Sequence, residues 1–295
     1  MFGQIQPLTS ADLPGCLALA RDRGWLPEEG KWRLLFDLAV VYGVRDSAGE
    51  LAGVAVLTRY GPEFAVIGMM LVATRYGGRG LGRALMTRAL ADAGDATVFL
   101  HATPIGRPLY EKLGFVPAGA SHTYLGTFRP TVRAAPGASG GPGSARPEVP
   151  AAKGGSRPAG PGDLMAIRRL DAQANGTDRA LLVRRLPGFT EQLRVTERMG
   201  AVTGYAGAYD GLRYVSIGPV VAEAADDAKT LIADAATAAS GPVRIDLDDR
   251  HPRLLEWAAE HGLAPGVSST AMVLGGRPLP GDRARCFAPL MRALG

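Results

Sequence analysis

Apolar and polar positions along this 295-residue chain change rhythm several times, and each change marks an element. SADLPGCLALARDRG opens with a Ser/Asp capping signal and repeats Leu13, Leu17 and Ala20 at helical spacing, which predicts a helix. KWRLLFDLA predicts a second, shorter helix. VVYGVRD and LAGVAVLTRY, separated by the turn-forming DSAGE, predict an antiparallel hairpin. FAVIGMMLV is apolar without alternation, the pattern of a strand covered on both faces. LGRALMTRALADAG places Leu81, Leu85 and Ala89 on one stripe, with Met86 and Leu90 beside it, and predicts an amphipathic helix. ATVFLHA then predicts a buried strand, PLYEKLG a helix and FVPAGASHTYLGTF a closing strand.

This rhythm stops at residues 129–157, a Pro/Gly/Ala-rich stretch without hydrophobic periodicity that predicts a linker. It divides the chain into units 1–128 and 158–295. The second unit repeats the first weakly. DLMAIRRLDAQA, RALLVRRL and EQLRVTERM predict helices or helical turns, and AVTGYAGAY and LRYVSIGPVV predict strands. AADDAKTLIADAATAA predicts a helix, PVRIDLD a strand, PRLLEWAAEHG a helix and STAMVLG a strand. EKLGFVPAG and AEHGLAPG occupy corresponding ends, so a duplicated α/β domain with a mixed sheet is expected.

Composition changes this picture little. Hydrophobic residues at 46% and charged residues at 21% are those of a globular chain. The net charge of +5 gathers in the linker, where Arg129, Arg133, Arg146, Lys153 and Arg157 face Glu148 alone. Without interleaved aromatics this predicts a solvated basic linker and no nucleic-acid partner. No stretch is apolar and long enough to span a membrane. Two distant cysteines, Cys16 and Cys286, give neither a disulfide framework nor a metal-ligand spacing. With no signal peptide evident, a cytoplasmic protein is expected. Asp246, Asp248, Asp249 and His251 predict a capped strand-to-helix turn rather than a metal site.

The segment RYGGRGLGRA gathers Gly77, Gly78, Gly80 and Gly82 between a predicted strand and a predicted helix. The first amides of a helix lack intrahelical partners, and the dipole adds partial positive charge there, so this context seats an anion. A P-loop would need Lys-Ser or Lys-Thr after the glycines, and none follows. A dinucleotide fingerprint starting at Gly80 would need a third glycine where Leu85 stands.

The longer stretch GMMLVATRYGGRGLGRALM resembles motif A of the GCN5-related N-acetyltransferases (GNATs), with Gly80-Leu81-Gly82 as its Gly-x-Gly. Thr74 replaces the motif's usual Pro and Gly77 its usual Gln or Arg. HATPIGRPLYEKLGFVPAG is similar to motif B, with Thr103 where Asn is common. The resemblance covers residues 4–128 and implies acetyl-CoA, or another acyl-CoA, as donor and a small-molecule or amino-acid-like amine as acceptor. It further implies that the backbone of Met70, Leu71 and Val72 pairs with the pantetheine arm. The amides of Gly77, Gly78, Arg79, Gly80, Leu81, Gly82, Arg83 and Ala84 would then hold the pyrophosphate, with charge from Arg79 and Arg83. Tyr110 would serve as general acid toward the departing thiolate. No metal is implied.

Several points stay open at this level. Candidate general bases are Glu63, Glu28, Glu29, His101 and His122, or a water relay. Trp25 and Trp32 flank the loop where such enzymes build an acceptor wall. In the second unit Glu223, Asp226 and Asp227 stand where a pyrophosphate would need amides, and Ala258 matches Tyr110, so a degenerate, non-binding domain is expected. A non-catalytic acyl-CoA sensor is the rival reading, and a homo-oligomer is compatible with either.

Overall fold

The structure, a computed structural model, describes residues 2–130 and 155–295. Most of the predicted linker, with Arg133, Arg146 and Lys153, lies outside the described residues. The first half runs β1 (Gln6–Pro7), α1 (Leu13–Asp22), α2 (Glu29–Leu38), β2 (Val40–Arg45), β3 (Leu51–Tyr60), β4 (Phe64–Val72), α3 (Leu81–Ala93), β5 (Thr97–Ala102), α4 (Arg107–Glu111) and β6 (Phe115–Gly126). The second runs β7 (Arg157–Pro158), α5 (Leu164–Asn175), α6 (Ala180–Phe189), β8 (Gln192–Arg198), β9 (Ala201–Asp210), β10 (Val215–Ala222), α7 (Ala225–Thr237), β11 (Val243–Asp248), α8 (Pro252–Glu260), β12 (Ala264–Leu274) and β13 (Cys286–Ala288).

One stretch departs from its helical prediction. Within EQLRVTERM, Gln192–Arg198 form strand β8, paired with β9 on one side and β7 on the other. Thr190 ends α6 in an extended conformation, and β-branched Val195 and Thr196 favour a pleated backbone. Met199 is 98% exposed and turns the chain at φ 50° with Gly200 at φ 78°, the left-handed pair of a tight hairpin. No element was expected after residue 275, yet β13 and the tail behind it are ordered and largely buried.

All the strands join one sheet in the order β1-β2-β3-β4-β5-β12-β6-β11-β10-β9-β8-β7, with β13 added against β10. The halves exchange their closing strands. β12 inserts beside β5 of the first half, and β6 lies beside β11 of the second. The two long strands pair with each other antiparallel between them. The β4–β5 and β10–β11 ladders are both parallel and occupy equivalent places about a pseudo-two-fold axis.

The helices divide between the two sheet faces. α1, α2, α5 and α6 share a core that joins the halves, with Trp32, Leu35, Ile167, Leu186 and Tyr205 each at most 1% exposed. Burying an aliphatic or aromatic side chain contributes about 1.5–3 kcal/mol, so this shared core couples the halves strongly. α3 covers the first half's other face through Leu81, Leu85 and Met86, and α7 and α8 cover the second's. A buried Arg179–Asp171 pair, with Tyr205 also bonded to Asp171, sits in the second half. Arg179 donates onward to the Gly295 carbonyl (3.1 Å) and anchors the tail.

Candidate active site

The β4–β5 ladder ends at Ile67 and Leu100. Beyond it β4 bulges, with Met69 at φ 47°, and Leu71 and Val72 pair only with β3. The opposite edge of Met70–Val72 has no strand partner among the described residues, so its amide and carbonyl groups face a groove opened by the splay.

The groove leads to the glycine loop. Gly78 (φ 74°) and Gly80 (φ 81°) lie in the left-handed region, where a side chain is strained. Gly82 packs closely, since a Cβ there would come within 3.1 Å of Met70 Cε and 3.2 Å of Leu109 Cδ2 and would push these side-chain ends back by a few tenths of an ångström. The Gly77 amide donates to the Thr74 carbonyl (3.2 Å) and the Ala84 amide to that of Gly80 (3.0 Å). The amides from Gly78 to Arg83 have no hydrogen-bond partner among the described residues at the N-terminus of the 13-residue α3. Arg79 and Arg83 are exposed and carry no ion pair among the described residues, whereas Arg75 is held by Asp46 and Glu50. This pairing leaves Arg79 and Arg83 as the arginines available to an anion at the loop.

Tyr110 stands on α4, on the same sheet face as α3, packed edge-on against Phe115. Its hydroxyl has no hydrogen-bond partner among the described residues, and burial pushes its pKa up to about 12. Thr103 starts the preceding turn, its Oγ1 accepting from the Gly106 amide at 3.2 Å.

On the opposite face, a cavity of about 440 Å³ lies between the halves, over the point where β4 and β5 separate. The first half supplies Trp25, Trp32, Gly68, Met69, His101 and Thr103 to its wall, along with the bonded pair Lys31–Glu28. The second half supplies Tyr209, Tyr214, Ser216, Arg244 and Asp246, and the tail from Pro289 to Ala293 closes it. His101 approaches Ser269 Oγ at 3.4 Å. Burial, and then the Arg292 charge, lower the His101 pKa to about 4, so the ring is neutral near pH 7. Asp246 is buried, which alone would raise its pKa. Arg292, Arg244 and the Thr123 hydroxyl (2.6 Å) outweigh this and hold the carboxyl below its usual range.

His101 is the one titratable base candidate besides Glu28 that reaches this cavity. Glu63 lies exposed at the far end of β4, Glu29 is exposed and paired with Arg33, and His122 hydrogen bonds Ser268 (2.8 Å) outside the cavity wall. Trp32 is 1% exposed and Trp25 40%, so the first is core as well as wall. Lys31, Tyr209, Arg244 and Arg292 were invisible to motif reading, because they converge only through the exchange of strands and the folding back of the tail. Asp246 was read as part of a turn. Asp248 does hold that turn, accepting from the Arg250 amide at 2.9 Å, while Asp246 faces the cavity.

The second half's equivalent groove is filled. Ile217 pairs with Ile245 as Ile67 pairs with Leu100, but β10 then continues against β13, Val220 opposite Ala288 and Val221 opposite Cys286. α7 begins behind Ala224 with Asp226 and Asp227 in its first turn, and no glycine loop precedes it.

Two acetyltransferase (GNAT) domain matches account for this pair, one over residues 37–117 and one over residues 167–288. The chain belongs to the GNAT acetyltransferases and carries two such domains in tandem. It is 27% identical over 264 residues to an uncharacterized N-acetyltransferase, YitH, of Bacillus subtilis, a match covering 88% of this chain and 87% of that one. A putative acetyltransferase from Pyrococcus horikoshii has the same fold with a TM-score of 0.78 at 20% identity, covering 99% of this chain and 95% of that one. A tandem GNAT protein from the clavulanic acid biosynthesis pathway superposes with a TM-score of 0.63 at 17% identity, covering 94% and 99%.

Proposed function

We propose that this protein transfers an acetyl or other acyl group from acetyl-CoA to the amine of a small-molecule or amino-acid-like acceptor, with one active site per chain. The observation that carries this reading is the asymmetry of the two grooves. The edge of β4 is open beside an unencumbered helix N-terminus, while β13 occupies the matching edge of β10. Residues 1–128 would hold the donor, 129–157 would link, and 158–295 would complete the acceptor side.

In this reading Met70, Leu71 and Val72 pair with the pantetheine arm as an added strand would. The amides from Gly78 to Arg83, with Arg79 and Arg83, neutralise the pyrophosphate. The thioester then emerges through the splay into the cavity. A thioester is already activated, so holding an amine beside it supplies much of the acceleration. His101, neutral and in the cavity wall, accepts the ammonium proton directly or through a water. Tyr110, held protonated by burial, donates to the departing thiolate. Both cysteines are free, which fits a reducing, cytoplasmic setting.

Calorimetric titration with CoA, followed by thiol release over a panel of amines, tests the reading. One site per chain with amine-dependent release is expected. Two equal sites or none would sink the groove assignment, and tight binding without release for any amine would favour the sensor.

A further inference from the structure

The cavity between the halves carries three cations, Lys31, Arg244 and Arg292, against two carboxylates, Glu28 and Asp246. Those carboxylates are already engaged. Glu28 Oε2 accepts from Lys31. Asp246 accepts from Thr123 and from Arg244 Nη2 (3.1 and 3.2 Å), and it pairs with Arg292 at 3.3 Å. Arg292 is further occupied by Ser121, through Nε to the hydroxyl (3.2 Å) and Nη2 to the carbonyl (2.9 Å).

Among the cavity's cations, Arg244 and Lys31 are the least committed, while Arg292 keeps only its Nη1 and Trp32 adds an unpartnered Nε1–H to the wall. Arg244 uses one terminal nitrogen, so its Nε and Nη1 have no partner among the described residues. Lys31 makes a single bond to Glu28 and otherwise sits 5.6 Å over the Tyr209 ring. Their side chains are 30% and 17% exposed, so both are largely withdrawn from water, in a cavity whose net charge is positive. Each already meets one carboxylate, Glu28 or Asp246, so what remains is one net positive charge and the free donors of Arg244, whose planar guanidinium edge matches a further carboxylate well.

We propose that Arg244 and Lys31, one from each half, form a seat for the carboxylate of the acceptor, so that the cavity selects amines that carry a carboxylate over neutral amines and polyamines. This rests on reading the cavity as the acceptor site. With the carboxylate on Arg244 and Lys31, the amine of an amino-acid-sized molecule is directed toward Gly68, Met69 and His101. The second domain then sets specificity although its own groove is filled. A cavity of about 440 Å³ accepts a free amino acid or a small derivative and excludes a folded protein.

The test compares matched pairs at saturating acetyl-CoA with the full chain: lysine against cadaverine, phenylalanine against phenethylamine, 4-aminobutyrate against butylamine, and 4-aminobutyrate against 3-aminopropylphosphonate. The expected result is a kcat/KM at least about 100-fold higher for the carboxylate-bearing member of one or more pairs. Lys31→Met and Arg244→Gln should each cut that ratio by about 10-fold or more, chiefly through KM. A preference for the carboxylate-free amine or for the phosphonate overturns the proposal, as does an equal loss on both members of a pair. Arg244→Gln also disturbs Asp246 and Lys31→Met also frees Glu28, so the loss of ratio must appear in both variants, with CoA affinity as the check on folding. If CoA binds but no amine turns over, the transferase reading fails separately. The seat is then read by calorimetric titration with N-acetyl amino acids. Binding that Lys31→Met abolishes supports the seat, and no binding by any of them overturns it.

Discussion

Gly68 and Ala293 meet backbone to backbone. A Cβ on Gly68 would lie 2.6 Å from Ala293 Cα and 3.0 Å from its carbonyl oxygen. The C-terminal tail is therefore seated against the strand whose next residues form the open edge, and a Tyr60 hydroxyl bond to the Leu294 carbonyl (2.8 Å) fixes it there. Because the obstructing atoms are backbone, they cannot rotate away. Gly68→Val should cost about 1–3 kcal/mol or more, read as a lowered midpoint in thermal or denaturant unfolding. An unchanged midpoint would mean that the tail leaves the strand freely.

The glycine loop gives a binding prediction. Gly80 precedes α3 at φ 81°, and an alanine there would cost about 1–2 kcal/mol by forcing a side chain into the left-handed region. Gly80→Ala should weaken CoA binding about 10-fold or more by calorimetry while leaving the fold intact by circular dichroism. Equal affinity would show that the loop does not hold the pyrophosphate.

Tyr110→Phe removes one unpartnered hydroxyl and keeps the packing against Phe115. If the phenol is the general acid, kcat falls about 10²-fold or more with KM for acetyl-CoA little changed. A KM effect alone would reassign Tyr110 to binding.

His101 links pH to stability as well as to rate. Its folded pKa of about 4 lies below the ordinary 6.5, so between these values the unfolded chain binds more protons. Stability should accordingly rise with pH from about 4 to 6.5 and level off above. The charges facing the ring are Arg292, Arg250, Asp246 and Asp248, and none of them changes state in the upper part of that window. His101→Asn should flatten the slope and reduce kcat. A slope that persists in the variant would assign it to other groups.

In the second half, Asp171→Asn leaves the buried Arg179 without its counter-charge. A loss of about 3–5 kcal/mol is expected in denaturant unfolding, since breaking one side of a buried pair strands the other charge. A cost below about 1 kcal/mol would show that water or the Gly295 carbonyl compensates.

Local signals were enough for most elements, and for the glycine loop ahead of α3. The glycine cluster and the amphipathic α3 are contiguous in sequence, so periodicity and turn chemistry could place them, whereas the open edge of β4 was expected only through the family resemblance. β8 misled because its charged residues mimic a helical face, and pairing partners on both sides decided the outcome. The cavity between the halves was hidden for a different reason. Lys31, Arg244 and Arg292 meet only after two strands have crossed between halves and the tail has folded back. No local rule sees contacts separated by some 200 residues. The filled groove of the second half was half legible: Asp226 and Asp227 warned against a phosphate, whereas β13 carried no signal at all.

The exchange of β6 and β12 has a consequence for how such a chain is made and kept. Two separate single-domain molecules trading these strands would form an obligate dimer, present only above its dissociation constant. Covalent tethering replaces that dependence on protein concentration with a fixed effective concentration of millimolar order. Each half is then always supplied with the strand it cannot provide for itself. A half whose own groove is filled by β13 still completes the other. Split between residues 130 and 155, the two fragments should each be incompetent alone and regain structure on mixing, as in fragment complementation.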